Sequence, residues 1–275
     1  MDYVNAGGVE VPALGLGTWD LRGAVCTRMV RFALDLGYRH VDTAQMYENE
    51  AEVGAGIKRS SVAREDIFLT TKVLPDLLAH DDLKRSTEES LAQLATDYVD
   101  LLLIHWPNDA IPMAESFRAL AELQSEGKAR HIGVSNFTRG HMKQAVEEHG
   151  AAIICNQVEY HPYLSQKTVL GYLREKGLML TAYTPIAKGD VMRDPILVDI
   201  AAKYGKTPAQ VTLRWLVGQE GVSAIPATTK EAHCQANFEI FDFELAAEDD
   251  AAIHALARGK RYVDSVEMPV QWDVD

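Results

Sequence analysis

Four residues in the first part of the chain carry most of its chemical potential: Asp42, Tyr47, Lys72 and His105. A free phenol titrates at about 10 and a free lysine at about 10.4. An ammonium next to a phenol favours tyrosinate, and about 1.36 kcal/mol of such preference makes the phenol tenfold more acidic. Lys72 beside Tyr47 would therefore make the phenol a better proton donor and acceptor near neutral pH. A buried lysine needs an anion to stay charged, and Asp42 is the candidate. His105 can donate a hydrogen bond to a substrate oxygen and orient it. Together the four can polarise a carbonyl and protonate the alkoxide that forms. They supply no hydride, so this chemistry requires a redox cofactor.

Taken singly, each residue has a plainer reading. A strand-end Asp caps a turn, a buried Tyr fills a core, a Lys–Asp pair holds structure, and a His before a Trp does the same. What unites them is the elements they follow. The run at 99–104, VDLLLI, is nearly continuously apolar, as suits a strand buried on both faces of a parallel sheet. Before it, Leu91, Leu94, Ala95 and Tyr98 fall at i, i+3, i+4, i+7, one face of a helix, and Leu197, Ile200, Ala201 and Tyr204 repeat the spacing. Strands are expected near 14–17, 39–42, 67–72, 99–105, 129–134, 153–158, 179–183 and 222–226. Each gap has room for a helix, and the last has room for an extra one. This is the arithmetic of an α/β fold of the (β/α)8 TIM barrel type. Gly7-Gly8, between Tyr3-Val4 and Val9-Val11, predicts an N-terminal β-hairpin capping the barrel bottom. A doubly wound sheet is the rival, but Gly15-Leu16-Gly17-Thr18-Trp19 does not complete a GxGxxG fingerprint.

In such a barrel the chemistry sits at the C-terminal ends of the strands. Those ends are Gly17-Thr18-Trp19, Asp42, Lys72, His105-Trp106, Ser135-Asn136, Gln157, Tyr183 and Pro226-Ala227-Thr228. Most are polar on strands that are otherwise apolar, a cost to the core unless satisfied or used.

Composition narrows the classes further. The 275 residues fit a single barrel domain spanning 1–275. A net charge of −13 argues against a broad nucleic-acid footprint or adhesion to anionic membranes, since both want clustered Lys and Arg. The three cysteines, Cys26, Cys155 and Cys234, are odd in number and widely spaced, so neither a disulfide framework nor a zinc site is expected. The first residues, MDYVNAGGVE, lack the basic and apolar regions of a signal peptide, and no apolar run suits a membrane span. A cytoplasmic protein is expected.

Longer motifs resemble one family, the aldo-keto reductases, over the whole chain. Asp42-Thr43-Ala44-Gln45-Met46-Tyr47-Glu48-Asn49-Glu50 resembles its D-T-A-x-x-Y-x-N-E signature, and Leu101–Pro107 its L-x-x-x-H-W-P segment. Gly133-Val134-Ser135-Asn136-Phe137 and Asn156-Gln157-Val158-Glu159-Tyr160-His161-Pro162 are similar to two more. Within the family the resemblance is to prokaryotic 2,5-diketo-D-gluconate and methylglyoxal reductases, whose tail Val270-Gln271-Trp272-Asp273 resembles.

The resemblance implies roles. Tyr47 would be the general acid in reduction, Lys72 and Asp42 would lower its pKa, and His105 would orient the carbonyl. Ser135, Asn136 and Gln157 would bind the nicotinamide carboxamide, and Tyr183 would stack on the ring. Thr184, Pro185, Ile186 and Gly189 would line the pyrophosphate through main-chain N–H groups. Lys188 there either adds charge or is a solvated loop lysine. Gly17, Thr18 and Ile225 complete the expected cofactor-facing set on the barrel side. At the adenosine end the chain departs from the family's I-P-K-S pattern: Ala227 stands for the usual Lys, His233 for the usual Arg and Ala236 for the usual Glu, with Asn237 retained. A 2′-phosphate is left with Thr228, Thr229, Lys230, His233 and the start of the last helix. NADPH is the expected cofactor, with a weaker clamp than usual and measurable use of NADH.

Trp19, Met46, Trp106 and Trp272 would wall the carbonyl pocket. Short connections at 107–112 and 188–194 imply an open, shallow site for a small-molecule carbonyl substrate: small aldehydes, 2-oxoaldehydes or keto-sugar acids. A monomer is the family expectation. Two other classes stay open: a cofactor-binding redox-sensing or regulatory protein on this scaffold, and a barrel enzyme of other chemistry.

Overall fold

A computed structural model of the chain describes residues 2–264 and 270–275. The chain opens with an antiparallel hairpin, β1 (Tyr3–Ala6) and β2 (Val9–Pro12), paired from Tyr3–Pro12 to Ala6–Val9. Its turn is Gly7-Gly8 at φ +61° and +91°, a left-handed path that glycine takes without strain.

Eight parallel strands follow, each hydrogen-bonded to the next in chain order. They are β3 (Leu16–Gly17), β4 (His40–Asp42), β5 (Phe68–Val73), β6 (Val99–Ile104), β7 (Ala129–Ser135), β8 (Ile153–Glu159), β9 (Met179–Tyr183) and β10 (Val222–Ala224). The last meets the first. Gly15 N donates to Ala224 O at 2.9 Å, Ala224 N to Ala13 O at 2.9 Å, and Gly17 N to Pro226 O at 3.1 Å, which closes the barrel. The closure is tight: a Cβ at Gly17 would lie 2.5 Å from Ile225 O. The first and last strands are shorter than expected because this seam is made of isolated bridges. The other six begin and end within one residue of expectation.

The helices are α1 (Gly23–Leu36), α2 (Glu50–Arg59), α3 (His80–Leu94), α4 (Met113–Ser125), α5 (Arg139–Lys143), α6 (Lys167–Glu175), α7 (Pro195–Tyr204), α8 (Pro208–Val217), α9 (Glu231–Phe238) and α10 (Ala247–His254). Two expectations need correction. The helical spacing at 91–98 overruns the helix. Ala95 takes φ +52° and ends α3, and Tyr98 lies beyond it, its ring between Arg64 and Arg130 at 4.1 and 4.0 Å. Both guanidiniums bind the buried Asp100 carboxylate, at 2.8 and 2.9 Å, so charge rather than helix packing places Tyr98. Also, the helix after Lys230 is α9, and α10 follows it. The spacing at 197–204 does mark α7, with Leu197, Ile200 and Ala201 buried. Cys26, Cys155 and Cys234 are buried and unpaired, and among the described residues no helix is long and apolar enough to cross a membrane.

Parallel strands covered by helices must be apolar outside, but the barrel axis here is polar. Successive side chains alternate between axis and helix layer. One tier holds Asp42, Lys72 and Gln157. The tier below holds His40 against Thr70 Oγ1 at 3.2 Å, and a chain from Cys155 Sγ to Thr181 Oγ1 (3.3 Å) to Ser223 Oγ (2.9 Å). Burial pushes the His40 imidazole down to about 4. An unfolded histidine binds its proton below about 6.5, so acid favours the unfolded chain between these values. His40 is thus expected to cost roughly 3 kcal/mol of stability as the pH falls from 6.5 to 4. Urea denaturation at pH 7, 5.5 and 4.5 checks this: His40→Asn should lose part of the wild-type slope. An equal slope in the variant would remove His40 as the source.

Candidate active site

Each member of the expected quartet arrives on its own element. Asp42 ends β4, Lys72 is the penultimate residue of β5, and His105 follows β6. Tyr47 closes a short 3-10 turn, Gln45–Tyr47, that is tied on both sides. Thr43 Oγ1 donates to Asn49 Oδ1 at 2.7 Å, and Asn49 Nδ2 reaches Thr18 O (2.8 Å) and Leu21 O (3.0 Å). Gln45 Nε2 donates to Ser86 O and Ser90 Oγ, both at 3.0 Å, while its Oε1 accepts Leu74 N at 2.9 Å.

Lys72 is fully buried, and its three ammonium protons have three acceptors: Asp42 Oδ1 at 2.5 Å, Thr43 O at 2.8 Å and Tyr47 Oη at 3.1 Å. Tyr47 Oη therefore accepts from lysine, which leaves its own proton for a group in the barrel mouth. His105 stands edge-on to the Tyr47 ring at 5.6 Å, and Trp19 at 5.0 Å.

The electrostatics revise one expectation. Burial raises the Tyr47 pKa, Lys72 opposes it, and the Asp42 charge raises it further, so the phenol ends above its ordinary value. Asp42 does not lower the phenol's pKa directly. It acts through Lys72, whose own pKa is pulled down by burial and raised overall by Asp42 and Tyr47. The structure thus presents an ammonium beside a neutral phenol. Burial, then Lys72, hold His105 well below the usual histidine range, so it is a neutral imidazole at pH 7.

The residues expected at the nicotinamide form a second ring that braces the first. Asn136, at φ +62°, donates through Nδ2 to His105 O (2.9 Å) and Ser135 Oγ (3.1 Å), and Tyr183 Oη donates to its Oδ1 at 2.7 Å. Ser135 Oγ donates to Gln157 O at 2.8 Å, and Gln157 Nε2 to Asp42 Oδ2 at 2.7 Å. The sequence pattern gives these residues to the cofactor alone and misses that they hold His105, Tyr183 and Asp42. Gly17 and Thr18 lie a layer deeper: Thr18 is fully buried, its hydroxyl donating to Asp42 O at 2.9 Å. Ile225 is buried, with its N donating to Ala182 O at 3.1 Å.

Beyond Tyr183 the main chain coils through positive φ at Thr184, Ala187, Lys188 and Gly189. Pro185 is buried, Ile186 half-buried and packed against the core, and Lys188 exposed. Such a run turns N–H groups toward a concavity suited to an anion. At the far end Thr229, Lys230 and His233 are exposed, Thr228 Oγ1 accepts Lys230 N at 3.2 Å, and Asn237 is buried. Arg28 of α1 joins them, with Nε 3.4 Å from Glu231 Oε1. No sequence signal marks it, because only the barrel brings α1 to α9.

Three of the four expected pocket walls converge. Trp19 flanks Tyr47, Trp106 is buried after His105, and Trp272 meets Trp106 edge-on at 6.1 Å. Met46 is half-buried beside Tyr47. Trp272 is held by contacts the sequence did not reveal. The Arg261 guanidinium lies 3.7 Å over its ring, and Glu159 accepts Tyr262 N (2.7 Å) and Val263 N (3.0 Å). Past it, Asp273 accepts Arg139 N at 2.8 Å and Asp275 accepts Thr168 N at 2.7 Å. Helix starts offer free N–H groups to such carboxylates.

Comparison with known proteins agrees with this geometry. The model of the Aldo/keto reductase family matches residues 13–258. Methylglyoxal reductase DkgB of Escherichia coli O157:H7 is 44% identical over 268 residues, covering 96% of this chain and 100% of that protein. Glyoxal reductase of Bacillus subtilis (strain 168) is 42% identical over 255 residues, covering 92% of each. A crystal structure assigned as 2,5-diketo-D-gluconic acid reductase B superposes with a TM-score of 0.97 at 49% identity, over 100% of this chain and 98% of that one. Its barrel, its site and its likeness to these proteins make the chain an oxidoreductase of the aldo/keto reductase family.

Proposed function

We propose that the chain reduces small aldehydes, 2-oxoaldehydes or keto-sugar acids to alcohols with NADPH, Tyr47 acting as the general acid. The observation that carries this reading is the use of all three Lys72 protons, one of them on Tyr47 Oη, which leaves the phenol proton facing the mouth. The residues fit a nicotinamide dinucleotide. Gln157 Oε1 has no hydrogen-bond partner among the described residues, the 184–189 main chain offers a concavity, and Lys230, His233 and Arg28 cluster at the far end. When bound, the cofactor supplies the hydride. The neutral His105 donates a hydrogen bond to the substrate carbonyl oxygen and orients it. Tyr47 passes its proton to that oxygen, and Lys72 stabilises the phenolate left behind. Asp42 keeps Lys72 charged. The names of the methylglyoxal and glyoxal reductase relatives support the substrate class.

Loss of NADPH absorbance on adding methylglyoxal or 4-nitrobenzaldehyde tests the reading. Tight NADPH binding without turnover would point instead to a sensing or regulatory protein. The cofactor preference has its own test. Lys230→Ala should raise KM for NADPH about tenfold, the worth of about 1.4 kcal/mol, and raise it less for NADH. A wild-type kcat/KM ten times better with NADH would overturn the preference.

A further inference from the structure

One side chain joins the cofactor edge of the site to its proton donor. Gln157 lies near the C-terminal end of β8, with 2% of its surface exposed. Its Nε2 donates to Asp42 Oδ2 at 2.7 Å, while Oδ1 of the same carboxylate holds Lys72 Nζ at 2.5 Å. Among the described residues no other group hydrogen-bonds that carboxylate, so Gln157 keeps Oδ1 turned to the ammonium. Gln157 is itself fixed at its root, where its O accepts Ser135 Oγ at 2.8 Å and Asn136 N at 2.9 Å. Its Oε1 is left to face the mouth.

We propose that Gln157 is a positioning residue for proton transfer, linking the carboxamide pocket through Asp42 and Lys72 to the Tyr47 phenol. The link to the carboxamide rests on the reductase reading; the chain of hydrogen bonds does not. Four groups in series, Gln157 Nε2, the Asp42 carboxylate, the Lys72 ammonium and Tyr47 Oη, set how firmly the ammonium holds the phenol oxygen. If Gln157 is lost, the carboxylate is free to turn and the ammonium is less well held. Tyrosinate then loses part of its stabilising charge. A residue that served only the cofactor would change affinity and leave the proton affinity of Tyr47 where it is.

Tyr47 is faced by Lys72 from β5, Asp42 from β4, His105 after β6 and Tyr183 from β9. The Lys72–Asp42 pair is faced by His40 from β4, Glu50 from α2 and Cys155 from β8. All are retained in the Gln157 variants, so a change in Tyr47 titration reports the lost amide.

The test begins with the cofactor-free protein. Ultraviolet difference titration of wild type against Tyr47→Phe isolates one phenol among the ten tyrosines. Gln157→Leu, corrected by Gln157→Leu/Tyr47→Phe, should titrate about one pH unit higher, a tenfold loss of tyrosinate at fixed pH. An unchanged midpoint overturns the proposal. Gln157→Glu gives a second readout, and carries the test if Gln157→Leu does not fold. Protonated, the new carboxyl can donate to Asp42 as the amide does; ionised, it repels Asp42. Its reduction rate relative to wild type should fall as pH rises through that titration, and a parallel profile overturns the proposal. Wild-type turnover of methylglyoxal with NADPH is measured alongside. Its absence would sink the reductase reading while the phenol titration still decides the hydrogen-bond chain.

Discussion

Tyr47→Phe should lower kcat for carbonyl reduction by about 10²- to 10⁴-fold, the usual worth of a positioned general acid, while NADPH binds with unchanged Kd. The substitution removes one oxygen and leaves the ring against Trp19 and His105, which it meets edge-on at 5.0 and 5.6 Å. Lys72 loses one of three acceptors and keeps Asp42 Oδ1 and Thr43 O, so the fold should lose about 1–3 kcal/mol, the cost of leaving one buried donor unpaired. What disappears is the hydroxyl that Lys72 holds as an acceptor, with its own proton left over. Single-turnover rates and cofactor fluorescence separate the chemical step from binding. A variant keeping more than a tenth of the wild-type kcat would move the acid elsewhere, and neutral His105 would be the next group to remove.

The same phenol fixes the sign of the pH dependence. Its pKa lies above the ordinary 10 because burial outweighs the pull of Lys72. Under the proposed mechanism reduction uses the protonated phenol, so it should be level through neutral pH and decline only in alkali. Alcohol oxidation would use tyrosinate and should rise with pH across that range.

Much of this site was legible in the chain because a parallel strand buried on both faces reads as an unbroken apolar run. Against VDLLLI, the histidine that follows stands out, as do Asp42, Lys72 and Gln157 on their own strands. Partnership was not legible. Gln157 and Asp42 come from strands that are not neighbours and meet only across the barrel axis. Arg28 reaches α9, and Arg261 reaches Trp272, through tertiary packing alone. The sign of Asp42's effect on Tyr47 was hidden for a related reason. Residue types show that a carboxylate, an ammonium and a phenol share a site. Only geometry shows the ammonium between the other two, so the carboxylate repels tyrosinate directly and helps it only by keeping the lysine charged.

Asp42→Ala tests that arrangement through the fold itself. Removing one partner of a buried pair typically costs about 3–5 kcal/mol, because the other charge is left in the interior. At about 2–4 °C per kcal/mol for a domain near this size, Tm should fall by about 6–20 °C. Lys72 would keep two neutral acceptors, Thr43 O and Tyr47 Oη, and Gln157 Nε2 would lose its own. The wild-type pair raises the Lys72 pKa in the folded state. Its stabilisation is therefore complete below the unfolded lysine pKa and is lost only as pH climbs through the folded value. Without Asp42, burial dominates and the folded pKa drops below the unfolded one. The unfolded chain then binds more protons near neutrality, so the variant should gain stability as pH rises from 7 to 9.5, where the wild type gains none from Lys72. Urea denaturation at the two pH values reads the reversal. Asp42→Leu/Lys72→Met, which buries no charge, should recover much of the lost stability and none of the activity. Equal pH slopes in wild type and Asp42→Ala, or a double variant no more stable than the single, would show that the pair does not set the charge of Lys72.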